Sequence, residues 1–220
     1  MNDKVGVVLI PYVTSKAQME LFYLAYQSIN MQGDFEFYFI LPQESVSKAW
    51  NVGIDMALKD GCKYVLVPNG DVELHEGCVG SLVEYVKKKG CIMVSPWCTR
   101  YEGRMPENFK VDRVTMTDNY SCFMVDSRLF EKVGRFDENF KPAYLEDCDM
   151  QHRIDLAGEE HWCIKDGQFD HYRSATIELH RDPEWARDAL SYKRQFGYFE
   201  KKWGGGPRDG NLWREPFHGG

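Results

Sequence analysis

Apolar residues in this chain fall into two alternating patterns. Residues 5–10 (VGVVLI) form a continuous β-branched run, the signature of a strand covered on both faces. After Pro11 and Tyr12, Ser15 can cap a helix whose apolar positions, Met19, Phe22, Tyr26 and Ile29, recur at helical spacing. Residues 34–41 (DFEFYFIL) predict a second strand, closed by Pro42. Ser45 or Ser47 can cap a second helix to about Leu58, with Gly61 as its stop. Residues 63–67 (KYVLV) predict a third strand. Strand, helix, strand, helix, strand is the pattern of a parallel α/β sheet.

The third strand ends in the turn-forming cluster Pro68-Asn69-Gly70-Asp71. A helix follows Glu76-Gly77, with Leu82 and Val86 on one face and Lys87, Lys88 and Lys89 at its C-terminal end, where cations suit the helix dipole. Residues 91–94 predict a strand. Residues 98–119 are polar and aperiodic and predict a long loop, a common place for function. A strand at 120–125, a short helix at 127–133, a helix at 146–156 and one or two strands within 162–170 come next. Asp182-Pro183-Glu184 starts a final helix to about Trp203. Gly204-Gly205-Gly206-Pro207 breaks it, so residues 1–203 predict one domain and 204–220 a tail. The expected class is α/β: a mixed, mostly parallel sheet flanked by helices.

Composition narrows the picture modestly. The 220 residues carry 27 Lys plus Arg against 34 Asp plus Glu, a formal charge of −7. That argues against a protein living mainly on phosphate-backbone attraction, but leaves room for a local basic groove. The seven cysteines include no CxxC pair, which disfavours a cysteine zinc site. Their mostly apolar neighbours predict reduced thiols and a cytoplasmic setting. The N-terminus lacks the basic start and cleavage site of a signal peptide, and no run of about 18 apolar residues suggests a membrane span.

Three clusters carry candidate chemistry. Asn69-Gly70-Asp71, with Glu73 just beyond, stands at a strand's carboxyl end, where open α/β sheets bind ligands. A carboxylate there suits Mg²⁺ or Mn²⁺ holding phosphate oxygens; the plainer reading is a turn. Phe136-Asp137-Glu138 and Tyr144-Leu145-Glu146-Asp147-Cys148-Asp149 form an acidic cluster. It reads either as a charged first helical turn or as the source of a general base. Asp147 and Asp149 diverge on a helix, so only one faces a given point. His171 stands where a strand exits, and His180 lies nearby as the alternative.

In order, these segments resemble the family-2 type glycosyltransferases of GT-A fold, particularly the rhamnosyltransferase-like branch, over about residues 4–203. Val8-Leu9-Ile10-Pro11-Tyr12 looks like the first strand and its nucleotide-touching turn. Lys48-Ala49-Trp50-Asn51-Val52-Gly53-Ile54 is similar to the family's Asn-x-Gly-Ile helix beside the donor. Asn69-Gly70-Asp71 resembles the DxD position. Gly134-Arg135-Phe136-Asp137-Glu138, then Tyr144 to Asp149 and Arg153, carry the most specific match. Tyr198-Phe199-Glu200-Lys201-Lys202-Trp203-Gly204 is similar to the family's closing stretch, and equally to an ordinary packed helix.

The resemblance implies a metal-dependent, inverting sugar transfer from a nucleoside-diphosphate sugar of UDP-glucose or dTDP-rhamnose type. Asp71 and His171 would hold Mn²⁺ or Mg²⁺. Pro11, Tyr12, Glu44, Asn51, Asn69 and Asp71 would bind the donor. Asp147 would be the catalytic base, with Glu146 and Asp149 on the acceptor side. The acceptor would be a glycan, a lipid-linked sugar or a modified nucleic acid. The family's Asp-rich, base-meeting turn after the second strand is missing, leaving Gln43 or Glu44 to take its place. Rival readings are a non-catalytic sugar-nucleotide or glycan binding module and a sugar-nucleotide nucleotidyltransferase. The latter lacks its Gly-rich triphosphate loop, for the first turn reads Tyr12-Val13-Thr14-Ser15-Lys16.

Overall fold

A computed structural model describes residues 3–99, 111–115, 120–172 and 175–218. Among these residues, eight strands form one mixed sheet. They are β1 (Val5–Leu9), β2 (Glu36–Phe39), β3 (Tyr64–Pro68), β4 (Val72–Leu74), β5 (Met93–Cys98), β6 (Val111–Arg113), β7 (Cys122–Asp126) and β8 (His161–His171). The order is β2-β1-β3-β7-β5-β8-β4, with β6 also on β8. β1 pairs in parallel with β2 and β3, and β5 with β8; β7 runs antiparallel between β3 and β5. β4 and β6 are antiparallel to β8.

The continuous apolar runs follow from burial on both faces. In β1, Val7 and Leu9 point into one core and Val8 into the other; in β3, Tyr64 and Leu66 oppose Val65 and Val67 in the same way. Helices α1 (Lys16–Asn30) and α3 (Cys78–Lys89) cover one face, through Ala25, Ile29, Val79, Leu82 and Val86. Helices α2 (Val46–Lys59) and α5 (Glu146–Leu156) cover the other, through Trp50, Ile54, Met150 and Ile154. The short α4 (Leu129–Lys132) supports that second face through Leu129. Gly53 lets α2 approach β1: a Cβ there would stand 2.3 Å from Val8 Cγ1.

Caps match the sequence expectations. Ser15 accepts from Gln18 N in a capping box, Ser45 from Lys48 N, and Asp182 from Glu184 N and Trp185 N. Three features differ from expectation. The chain re-enters the sheet as β4 straight after Asn-Gly-Asp. The final helix, which a short α6 (Ala175–Glu178) precedes, is split into α7 (Pro183–Ser191) and α8 (Lys193–Trp203), with Tyr192 breaking the line at φ 38°. Residues 204–218 fold back instead of trailing: Trp213 N donates to Trp203 O at 2.8 Å and Phe217 N to Lys202 O at 2.8 Å. Leu212 packs on a small core of Phe140, Cys148, Phe199 and Trp203.

Candidate active site

Parallel pairing of β1, β2 and β3 brings their carboxyl ends to one edge. β8 ends there too, and the antiparallel β7 starts there. The edge encloses a cavity of about 580 Å³. Its lining includes Tyr12 after β1, Pro42 to Val46 after β2, Pro68 closing β3 and Asn69 to Asp71 after it, Tyr120 and Ser121 before β7, and His171 closing β8. The approach to α5 supplies Tyr144, Glu146 and Asp147; the C-terminal arm supplies Thr176, Ile177 and Trp185.

Asp71 is buried, fixed by the turn that launches β4. Its carbonyl accepts from Tyr172 N at 2.8 Å, and its Oδ2 accepts from Thr176 N at 3.3 Å. Its Oδ1 accepts no hydrogen bond and lies 3.3 Å from His171 Nε2. The His171 ring is oriented from behind by Ser121 Oγ, 3.0 Å from Nδ1. A buried, incompletely satisfied carboxylate oxygen beside an imidazole is a fitting donor pair for a divalent cation. Among the described residues no group of three or more His, Cys, Asp or Glu could hold a metal, so a cation here would take its other ligands from substrate and water.

Across the cavity, Tyr144 (φ 81°) and Leu145 (φ 68°) both hold left-handed backbone, rare for non-glycine residues. This turn aims the first turn of α5 at the cavity. Asp147 is half-buried, and its Oδ1 accepts from Cys148 N at 2.8 Å. Burial raises its pKa against backbone hydrogen bonds from Cys148 and Tyr120 that lower it. Burial, then the neighbouring Asp147 charge, push Glu146 well above the usual carboxylate range. Beneath them Tyr120 donates to Gln151 Oε1 at 2.8 Å, and His161 sits 3.0 Å from the same oxygen and 2.8 Å from Ser95 Oγ. Burial pushes His161 down to about 3, so it serves this network as a neutral ring.

The cavity thus gathers Tyr12, Glu44, Asn69, Asp71, Glu146, Asp147 and His171 from distant parts of the sequence. Three expected residues are placed otherwise. Asn51 does not face a donor: its Nδ2 donates to Phe136 O and Glu138 Oε1, both at 2.9 Å, and its Oδ1 accepts from Phe136 N. It is a buried latch between α2 and the Phe-Asp-Glu segment. Asp149 does not face an acceptor. It is fully buried behind α5, bound to Arg153, Lys202 (2.6 Å) and Trp203 Nε1 (2.9 Å). Pro11 lies outside the lining and acts through the backbone, as Tyr12 N donates to Ile10 O at 2.8 Å across it. His180, the alternative metal ligand, packs against Trp185 (ring centroids 4.3 Å apart) and Tyr12 (5.7 Å). Most of the 98–119 loop lies outside the described residues.

Trp185, Tyr120 and Ile177 were not singled out from the sequence. Trp185 follows two residues after Pro183, so its helix was legible, but nothing local tells which way that helix faces.

No protein-family model matches the chain, and no curated protein matches it in sequence. Solved structures match in shape. Residues 1–349 of S. aureus TarS superpose with a TM-score of 0.56 at 12% identity, over 90% of this chain and 75% of that one. The fold is GT-A-like. The same TarS fragment has been solved with UDP (TM-score 0.56, 14% identity, 90% of this chain and 75% of that one) and with UDP-GlcNAc (0.56, 12%, 90% and 76%). A197 from STIV gives a TM-score of 0.53 at 12% identity, over 77% of this chain and 85% of that one. Among the described residues, no helix of this GT-A-like chain is long and apolar enough to cross a membrane.

Proposed function

We propose that this chain is a metal-dependent, inverting glycosyltransferase. It moves a hexosyl or deoxyhexosyl group from a nucleoside-diphosphate sugar to an acceptor hydroxyl, in the cytoplasm. The observation that carries the reading is one cavity with the Asp71–His171 pair at one side and Asp147, at the N-terminus of α5, at another. TarS, of like fold, binds UDP and UDP-GlcNAc, which supports a uridine nucleotide among the donors to test. Donors of UDP-glucose and dTDP-rhamnose type follow from the resemblance in the sequence.

Asp71 and His171 would hold Mn²⁺ or Mg²⁺. Such an ion supplies charge neutralisation at a diphosphate leaving group. Tyr12 and the Pro42–Ser45 turn would receive the nucleoside, with Asn69 beside the diphosphate. Asp147 takes the proton from the acceptor hydroxyl as its oxygen bonds to the anomeric carbon. The bond from that carbon to the diphosphate breaks with its electron pair leaving on the nucleotide, inverting the centre. Burial brings the Asp147 pKa nearer neutrality and makes it a stronger base than a solvated aspartate. The acceptor would be a glycan or lipid-linked sugar; four acidic side chains (Glu44, Asp71, Glu146, Asp147) and no Lys or Arg line the cavity among the described residues, which disfavours a nucleic acid.

The test is a donor panel of UDP-glucose, UDP-GlcNAc and dTDP-rhamnose, read by released nucleoside diphosphate, with Mn²⁺ and with chelator. Release that depends on Mn²⁺ supports the proposal. Donor binding without turnover against any glycan acceptor would sink it in favour of a binding module.

A further inference from the structure

Helix α1 opens with a capping box in which Gln18, 3% exposed, stands at the third helical position. Its Oε1 accepts from Thr14 N at 2.5 Å, Thr14 Oγ1 at 2.9 Å and Ser15 N at 3.0 Å. Glutamate would meet those donors equally well and would suit the helix dipole better. The amide nitrogen gives the reason for glutamine: Nε2 donates to Thr176 O at 2.5 Å, 158 positions further along the chain. A flipped amide would set its NH₂ against three donors and its oxygen against a carbonyl, so the network fixes the orientation.

Thr176 is held at both ends of its own backbone. Its N–H donates to Asp71 Oδ2 and its C=O accepts from Gln18, while the turn of α6 is closed by Leu179 N on Ala175 O and His180 N on Ile177 O. Further on, Arg181 N donates to Thr14 Oγ1 at 3.1 Å, and that hydroxyl in turn donates to Gln18 Oε1. One side chain therefore holds the arm at two points, Thr176 directly and Arg181 through Thr14. Asp182 then caps α7 and fixes the start of the helix that carries Trp185, which with His180 stacks on Tyr12. Between Ala175 and Ala186 the side chains are half-buried or exposed, so apolar burial holds this stretch weakly and the polar ties decide its order. Thr176, Ile177, Trp185 and Tyr12 all line the cavity.

We propose that Gln18 is a positioning residue: its amide ties the arm of residues 175–185 to the first turn of α1, setting Thr176 on Asp71 and Trp185 beside Tyr12 before a ligand arrives. This rests on the transferase reading above, in which that side of the cavity receives the nucleotide sugar. Gln18→Glu separates the two halves of the side chain. The carboxylate keeps the acceptor for Thr14 and Ser15, loses the donor to Thr176 and turns a negative oxygen towards its carbonyl. Hydrogen exchange of the ligand-free chain should quicken at least about tenfold at Thr176 and across 179–182, with the α1 amides unchanged. Thr14→Val cuts only the second tie, so exchange should quicken at Arg181 and not at Thr176.

Calorimetry with Mn²⁺ then uses whichever of UDP-glucose, UDP-GlcNAc and dTDP-rhamnose the unmodified chain binds most tightly. Affinity should fall about tenfold in Gln18→Glu and about threefold in Thr14→Val, because binding must then order the arm. In turnover the donor KM should rise in step while kcat stays within about twofold, since the bound ligand restores the same arm. A role in stability alone would lower the melting temperature and leave the affinity of the folded fraction as it was. Unchanged exchange at Thr176 in folded Gln18→Glu overturns the tie. Quickened exchange with unchanged affinity overturns the positioning role and leaves the transferase reading standing. If none of the three sugars binds the unmodified chain, that reading falls, and quickened exchange still upholds the tie. Should Gln18→Glu fail to fold, Thr14→Val decides: unchanged exchange at Arg181, or unchanged affinity, overturns the proposal.

Discussion

Helix α5 presents two acids two residues apart to opposite worlds. Asp147 faces the cavity with backbone donors and, among the described residues, no cation; Asp149 faces inward, bound by Arg153, Lys202 and Trp203. The inward face extends to Asp137, which also holds Lys202 (2.7 Å) and Tyr198 (2.9 Å). One face is electrostatically complete and the other is left open. Buried charges that are fully matched serve the fold, whereas unmatched ones are poised for chemistry.

The contrast can be broken from either side. The largest effect should come from Asp147→Asn, which removes the base: turnover falls by about 10²–10⁴-fold. The melting temperature and donor affinity should stay near their starting values; a variant with near-normal turnover would sink the base assignment. On the other face, Lys202→Met should leave Asp137 and Asp149 incompletely matched and cost about 3–5 kcal/mol of stability, read from the urea midpoint. Trp203→Phe keeps one aromatic ring in place but deletes the hydrogen bond to a buried carboxylate together with part of the indole's packing, for at least about 1.5–3 kcal/mol.

The smallest effects are pH slopes of opposite sign. Burial pushes Asp137 up, but hydrogen bonds from Lys202, Asn139 and Tyr198 outweigh it and hold its pKa down. Its stabilisation is present above the unfolded-state value near 3.8 and is lost as pH falls through the lower folded value. Glu146 is raised, so the folded chain binds the extra proton, and its contribution is lost as pH rises from about 4.5 towards the folded value. Melting curves should therefore show Glu146→Gln gaining on the unmodified chain as pH rises above about 4.5, and Asp137→Asn losing its deficit below about 3.8. Equal slopes would collapse the contrast.

How much of this was legible in the sequence depends on range. β1 and β3 could be read because two-sided burial writes an unbroken apolar run, and the caps because Ser15, Ser45 and Asp182 act on backbone within three residues. The bend at Tyr192 has no glycine or proline to announce it. In the site, Asp71, Glu146, Asp147 and His171 stood out as acids and a histidine at element ends. Asn51 and Asp149 stood out equally, yet their partners lie 85 and 54 positions away and claim them for packing. Spacing says which residues share a helix face; it does not say whether a cavity or a lysine waits opposite.

The fold-back of residues 204–218 bears on how the chain can be handled. A boundary drawn at the glycine run would strip Trp213 from over Gly204, where a Cβ would meet its ring at 2.3 Å, and remove the carbonyl that His152 Nε2 contacts at 2.9 Å. It would also expose the underside of Trp203, the residue that closes the inward acidic cluster. The shortest fragment worth expressing therefore runs through Phe217, and an affinity tag belongs beyond it on a spacer.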